Sequence, residues 1–147
     1  MAYKYKFEKI LSIKEREKDE AVNIYNQAVK RFEEAAQRLY DLLKQKESAE
    51  AIQERKLITG LSVQEIRHNQ LFVENLKKVI DHQQQIVINT RNQMNFFQEK
   101  LKEKNIEVKK YEKIREKDFE NYQLVEKFED NKQMDEISLQ QFMSKGN

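Results

Sequence analysis

The stretch "LITGLSVQE", Leu57 to Glu65, separates two long helix-favouring halves of this chain. It contains Gly60, the one glycine before Gly146, and glycine takes up positive φ angles at little cost. Ser62 and Glu65 have the spacing of a capping box, in which a hydroxyl and a carboxylate satisfy free amides at the start of a helix. The stretch therefore predicts that one helix ends near Gly60 and a second begins directly after it.

The composition favours long helices around a narrow core. The 147 residues include no Pro, no Cys and no Trp, and 38% hydrophobic residues stand against 37% charged ones. Helix-favouring Glu, Lys, Gln, Leu and Ala dominate the remainder, and the apolar residues recur periodically, which argues against disorder. Without cysteine, a disulfide scaffold and a thiolate metal site are excluded.

Apolar residues on both sides of the glycine repeat with heptad spacing. The seam of the first half is Ala21, Tyr25, Ala28, Phe32, Ala35, Leu39, Leu42, Lys46 and Ala49, preceded by Phe7, Leu11 and the polar Lys14 and Lys18. The second half has an uninterrupted seventh-residue row of Ile66, Val73, Ile80, Val87, Met94, Leu101 and Val108. A short turn makes two such helices antiparallel neighbours.

These patterns predict an all-α protein, an antiparallel coiled-coil hairpin of two long helices. We expect a single coiled-coil domain over 1–147, with one helix at 5–57, a turn at 58–62 and a second helix at 63–142. If the chain reverses near Gly60, residues whose numbers sum to about 120 face each other. Leu39 and Leu42 should then lie near Ile80 and Leu76.

The second helix is predicted to extend beyond the end of the first. The first helix finds opposite residues only as far as about Arg115, and roughly 27 further residues to the predicted helix end would extend about 40 Å as helix. An isolated helix of that length is marginal in water unless its apolar side is covered. Apolar residues in this C-terminal overhang, the residues beyond Arg115, are Phe119, Tyr122, Val125 and Phe128. We therefore expect another protein to cover it.

Catalytic, metal and cofactor sites are not expected. His68 and His82, the two histidines, would lie about 21 Å apart along a helix, too far to share a metal ion. A phosphate-binding glycine loop and a nucleophile motif are both missing from the sequence, and a two-helix hairpin offers no cleft to desolvate reacting groups. We therefore predict that the chain is not an enzyme.

Charge and hydropathy argue against nucleic acid and a membrane span. The 28 basic and 26 acidic residues are interleaved, with a net charge of +2, whereas nucleic-acid binding favours a basic stripe. The N-terminal run Tyr3, Lys4, Tyr5, Lys6, Phe7 and Lys9 could form a basic helix on an anionic membrane, but it continues into the heptad frame. We favour the start of a helix there. With no signal sequence and no apolar span, a soluble cytoplasmic protein is expected.

Two apolar residues near the turn have two interpretations. Phe72 and Val79 each stand one position before a seam residue. They either widen the apolar stripe of the hairpin or contact a partner protein, because the side of a two-helix hairpin away from its seam faces water.

The two ends of the chain contain characteristic sequence patterns. The opening "MAYKYKFEKILSIKEREKDEA" contains the pattern F-x-K-I-L-x-I-K-E, from Phe7 to Glu15. The closing "REKDFENYQLVEKFEDNKQMDEISLQQF" contains the K-x-x-D-E of Lys132, Asp135 and Glu136. With these two ends, the chain resembles the flagellar FliJ family, in the version found in Gram-positive rods, and the resemblance covers the whole chain.

The resemblance implies a coiled coil similar to the central stalk of rotary ATPases. Its family works with the hexameric export ATPase FliI and the export gate FlhA, handles export chaperones, and sits peripherally at the cytoplasmic face of the membrane in type III export. Gate binding is expected nearer the turn, at Leu42, Phe72, Leu76 and Val79. Departures from family residues occur at Arg38, Gln45 and Ala49. ATPase-ring binding is expected at Phe119, Tyr122, Val125, Phe128, Lys132, Asp135 and Glu136.

The expected function is thus a non-enzymatic stalk that couples the export ATPase to the gate and acts as a general export chaperone and escort. The alternative is a self-associating structural coiled coil, whose overhang pairs with that of a second copy. A tight dimer in sedimentation would favour the alternative, and a monomer would favour the stalk. A chaperone for export substrates without an ATPase role is a further alternative that the sequence does not distinguish.

Overall fold

The computed structural model describes residues 2–60 and 62–145 and contains two long helices, α1 (Glu8–Thr59) and α2 (Val63–Lys145). The helices pack against each other antiparallel, which confirms the predicted coiled-coil hairpin. The packing divides into two compact units, one of residues 2–19 with 103–145 and one of Glu20–Lys102. The expectation of a single domain over 1–147 stays a prediction, and residues 1, 61, 146 and 147 lie outside the described residues.

The chain reverses at Gly60, which has a φ of +92°. On the far side of the turn, the Glu65 amide donates a hydrogen bond of 3.2 Å to the Ser62 hydroxyl, so Ser62 caps α2 as its spacing predicts. Before the turn, the Thr59 hydroxyl donates to the backbone carbonyls of Arg55 and Lys56. Residues 58 and 59 of the predicted turn thus belong to α1, and Leu61 lies outside the described residues.

The unit Glu20–Lys102 has its core where large aliphatic side chains meet. Leu42, Leu76 and Ile80 are buried together, with Leu39 packed against them, as the antiparallel register predicts. The side-chain amide of Gln83 donates a 3.0 Å hydrogen bond to the backbone carbonyl of Ala35 on the other helix. This hydrogen bond fits the predicted register. It stabilises that register at a polar position, because a slip of one helical turn would break the bond.

The unit of residues 2–19 and 103–145 combines an aromatic core with a charged layer. Tyr5, Leu11 and Val108 form the buried core, and it is flanked by Tyr3, Phe7, Tyr111 and Ile114. The charged layer pairs Lys14 with Glu107 at 3.3 Å and Lys104 with Glu17 at 3.3 Å. Lys14, an interruption in the predicted apolar seam, is thereby matched by a carboxylate on the opposite helix.

The N-terminal residues 2–7 precede α1 and form a segment that we call the strap. We predicted helix from residue 5, but the first helical hydrogen bond runs from the Leu11 amide to the Phe7 carbonyl, and α1 begins at Glu8. Tyr5 is buried and Tyr3 and Phe7 are half-buried, while Lys4 and Lys6 are exposed. Residues 2–5 have no regular secondary structure, and Lys6 and Phe7 form a turn in which the Glu8 amide donates a 3.3 Å hydrogen bond to the Tyr5 carbonyl.

Candidate functional site

The strap reaches past the predicted end of pairing to residues that we call the root of the overhang, Asp118, Phe119 and Tyr122. The ring centroid of Tyr3 lies 5.1 Å from that of Phe119 and 5.2 Å from that of Tyr122. The Tyr3 hydroxyl donates a 2.8 Å hydrogen bond to the Asp118 carboxylate. Loss of solvent contact, and then this hydrogen bond, raises the pKa of Tyr3 to about 12. The root is therefore partly covered by the strap: Tyr122 is half-buried, whereas Phe119 remains 40% exposed.

A second tyrosine ties the strap to α2 a little earlier. The Tyr5 hydroxyl donates a 2.9 Å hydrogen bond to the Tyr111 backbone carbonyl, and burial raises the pKa of Tyr5. One turn onward, the Arg115 guanidinium lies 3.8 Å from the Glu8 carboxylate. We expected opposite residues for α1 only as far as about Arg115. The strap adds contacts to the root because its non-helical residues 2–5 advance further per residue than helical residues do.

Beyond the root, α2 continues to Lys145 with large apolar side chains in solvent. The exposed fractions are 57% for Val125, 69% for Phe128, 59% for Leu139 and 76% for Phe142. Isolated exposed apolar residues are ordinary, but several along one helix mark an interaction surface.

These exposed residues share one side of α2, which we call the outer stripe. At about 3.6 residues per turn, Leu124, Val125, Phe128, Leu139, Phe142 and Met143 project within one third of the helix circumference. Phe119 and Phe128 are about two and a half turns apart and project to opposite sides. The four apolar residues predicted for the ring therefore divide between two sides of α2: Phe119 and Tyr122 contact Tyr3, and Val125 and Phe128 belong to the outer stripe.

The three charged residues predicted to contact the ring are all exposed. Lys132 and Asp135 project from the middle of the outer stripe, between its apolar halves, and Glu136 lies at its edge. The stripe thus has two apolar patches with one cation and one anion between them.

The predicted gate-binding residues also divide into two kinds. Leu42 is 2% exposed and packs with Leu76 in the core, so neither offers a free surface. Phe72 and Val79 are 51% and 45% exposed. They are seven residues apart on α2 and therefore project to the same side, with Leu76 one turn from each. The exposed pair can meet a partner, and the buried pair supports the helix beneath it.

Other kinds of site find little support in the described residues. Across residues 2–60 and 62–145, no three His, Cys, Asp or Glu side chains lie close enough together to hold a metal ion. Over the same residues, neither α1 nor α2 has a stretch long and apolar enough to cross a bilayer. An open groove runs along α2 between Lys109 and Phe119, with Tyr3 at its edge.

Two sets of surface residues were missing from the sequence-based prediction. Tyr3 and Asp118 join the strap to the root, and the alternation of aromatic residues and lysines from Tyr3 to Phe7 was the signal for a non-helical strap. Leu139 and Phe142 complete the outer stripe, and their three-and-four spacing from Asp135 was the signal for a further heptad.

Comparison with known proteins agrees with this architecture. The chain matches the family described as "Flagellar FliJ protein" over residues 3–147. It is 51% identical over 146 residues to the flagellar FliJ protein of Bacillus subtilis (strain 168), and the match covers 99% of each chain. No solved structure matches the chain at a significant level.

Proposed function

This chain belongs to the flagellar FliJ family and is a component of flagellar protein export, and we propose that it acts there as a non-enzymatic stalk. In this proposal its overhang binds the hexameric export ATPase FliI, and its turn-proximal side binds the export gate FlhA. The stalk works in the cytoplasm at the inner face of the membrane, peripherally, through these two partners. The observation that supports the proposal most directly is the outer stripe, an exposed apolar face on a helix that extends beyond its partner helix.

The outer stripe supports ATPase binding through its chemistry. Binding sites concentrate their energy in large apolar side chains surrounded by polar ones, and Phe128 and Phe142 are more than two-thirds exposed. Lys132 and Asp135 between the apolar patches would orient the helix against charges of the ring. The root contributes less, because Phe119 and Tyr122 already contact Tyr3.

Gate binding is supported by the exposed pair Phe72 and Val79. They lie on the side of α2 above the buried Leu76, so a partner meets a rigid helix rather than a mobile loop. Leu42 is assigned a supporting part in the core beneath this surface. Export chaperones would be escorted through the same exposed apolar surfaces.

The test compares one substitution on each surface with a matched control. Phe128→Ala removes an anchor of the outer stripe, Phe72→Ala removes the aromatic near the turn, and Phe96→Ala removes a Phe of similar exposure, 55%, from neither surface. Binding of the full-length variants to purified FliI and FlhA is measured by titration. We expect Phe128→Ala to weaken FliI binding by about tenfold or more, and Phe72→Ala to weaken FlhA binding similarly. Each should leave the other partner's binding unchanged.

Phe96→Ala should leave both affinities at the wild-type level. Equal losses in all three variants would show that apolar exposure in general, rather than two separate surfaces, governs binding. Unchanged FliI affinity in Phe128→Ala would remove the outer stripe from the ATPase interface. Circular dichroism of each variant checks that helix content is retained.

A further inference from the structure

The overhang contains a heptad seam of its own. Val125, Phe128, Lys132, Asp135, Leu139 and Phe142 are spaced alternately by three and four residues, as the a and d positions of a coiled coil are. All six side chains are exposed on α2. Such a seam packs against a second helix in known coiled coils, and the described chain places no helix against it.

Half of this seam continues the one that packs on α1. Val125 follows Tyr111 by 14 residues, or two heptads, and Tyr111 packs against the hairpin core. The other half is displaced by one position, because sevens counted from Val108 lead to Glu129, whereas the apolar residue is Phe128. One residue is about 100° around a helix, so the centre of the seam turns by about 50°. The overhang seam therefore overlaps the direction of the hairpin seam in part and lies beyond the residues that α1 and the strap contact.

The order of side chains along the seam is complementary to that of a second copy running in the opposite direction. In an antiparallel pair of helices, a positions face d positions of the partner. A second copy running the other way would set Val125 against Phe142 and Phe128 against Leu139. At the centre, Lys132 of each copy would face Asp135 of the other, giving two opposite-charge pairs. Small side chains would meet large ones, and every charge at the seam would meet its opposite.

The parallel arrangement lacks this match. In a parallel pair, a faces a and d faces d, so Lys132 would meet Lys132 and Asp135 would meet Asp135. Like charges at facing positions destabilise a helix pair, and here they would occupy its centre. The charge pattern thus selects one orientation for the partner helix.

We propose that the overhang binds the overhang of a second copy of this chain, antiparallel about a two-fold axis between residues 133 and 134. The contact is isologous, so it closes at a dimer rather than growing into a filament. It involves four apolar seam residues from each chain and a charged centre, and a contact of this size associates reversibly rather than tightly.

Self-pairing covers the outer stripe. It therefore also affects binding of the ATPase, an argument that rests on the proposed function. A copy whose Phe128 and Phe142 face another copy cannot offer them to FliI. Dimer and ATPase complex would then be mutually exclusive, and dilution or the ring would release the paired form. The self-association measurements below contain no ATPase, so their failure and the failure of the proposed function are separate results.

The first experiment measures association by sedimentation velocity over a concentration series up to about 0.5 mM. We expect the full-length wild-type chain to show a reversible monomer–dimer equilibrium. Lys132→Asp places Asp against Asp at both central pairs and should weaken the dimer by about tenfold. The double exchange Lys132→Asp with Asp135→Lys restores opposite charges and should restore the dimer. A chain that stays monomeric throughout overturns the proposal.

The same variants separate the two orientations. In a parallel dimer, Lys132→Asp would exchange one like-charge pair for another, and the affinity would not change. An unchanged dimer in that variant therefore contradicts antiparallel pairing. Matched substitution of an exposed lysine outside the seam, Lys109→Asp, changes the net charge by the same amount and should leave the dimer as in wild type.

The second experiment uses the absence of native cysteine. Val125→Cys and Phe142→Cys are made as separate full-length chains, each is oxidised alone, and the two are then oxidised as a mixture. Antiparallel pairing predicts a disulfide-linked heterodimer in the mixture and little linkage in either chain alone, because residues 125 face each other only in a parallel pair. Linkage in each chain alone, with none gained on mixing, would overturn the proposed orientation.

Discussion

The ring of Tyr3 lies edge-on to the ring of Phe119, with their centroids 5.1 Å apart, although the two residues come from opposite ends of the chain. Tyr3 also contacts Tyr122 and donates a hydrogen bond to Asp118. Since Tyr3 and Asp118 are 115 residues apart in sequence, these contacts require the hairpin to bring the two segments together. The beginning of the overhang is thus stabilised by the N-terminal residues rather than by α1.

Replacing Tyr3 should loosen the root. We expect Tyr3→Ala to reduce the free energy of unfolding by about 1–3 kcal/mol, because it removes two aromatic contacts and a hydrogen bond. Tyr3→Phe keeps the ring and should cost less. Chemical denaturation gives the stability, and hydrogen exchange should show faster exchange at the root in Tyr3→Ala than in wild type. Equal exchange rates at the root in both proteins would contradict this part of the structure.

The strap should also weaken in strong alkali. The pKa of Tyr3 is raised to about 12 in the folded chain, above the ordinary value of 10.0, so folding favours the neutral phenol. This contribution to stability is complete below pH 10 and is lost as the pH rises through about 12. We therefore expect stability to fall less steeply over this range in Tyr3→Phe than in wild type. Lysines and other tyrosines titrate in the same range, and the comparison of the two proteins cancels their effect.

Substitutions at the predicted gate surface should differ in their effect on the free energy of unfolding. Leu42→Ala and Leu76→Ala should each reduce the free energy of unfolding by about 2–5 kcal/mol, because they leave cavities in a buried cluster. Phe72→Ala should cost less than about 1 kcal/mol, since half of that side chain is already in solvent. Urea denaturation measures all three. If Phe72→Ala destabilises the chain as much as Leu42→Ala does, Phe72 is a packing residue.

Truncation should show where folded packing ends. A chain that stops after Gln123 keeps the root, and the described residues that it loses are all exposed, so its melting temperature should stay near that of the full chain. A chain that stops after Glu116 also loses Asp118, Phe119 and Tyr122, and it should melt at a lower temperature. Thermal unfolding followed by circular dichroism compares the two. Identical melting temperatures would mean that the contacts of Tyr3 with the root contribute nothing to stability.

The hairpin itself could be predicted from the sequence because its determinants are local and periodic. The seventh-residue row from Ile66 to Val108 requires a helix with one apolar side, and Gly60 followed by Ser62 specifies where the chain reverses. Once the turn position is known, antiparallel register follows, and it brings Leu42 to Leu76 and Ile80. The helix ends were less well defined, since the strap residues continue the apolar pattern into α1.

The candidate surfaces could be predicted only in part. Exposed residues such as Phe128 lie where the second helix has no partner, and the length of each half of the sequence already showed that. The sequence did not separate the buried Leu76 from the exposed Phe72, four positions away, because both fit a broad apolar stripe. Their difference depends on the side of α2 that meets Leu42 across the hairpin, which is a tertiary property.

The sequence by itself determined the two helices, the turn and the antiparallel pairing, since periodicity and capping act over a few residues at a time. Only the tertiary structure decided where the strap lies, and hence that Phe119 and Tyr122 are partly covered while Val125 and Phe128 are not. The physical reason is that the contacts of Tyr3 span nearly the whole chain. No local pattern specifies them, and they exist only because hairpin closure brings the strap alongside the helix that continues past it.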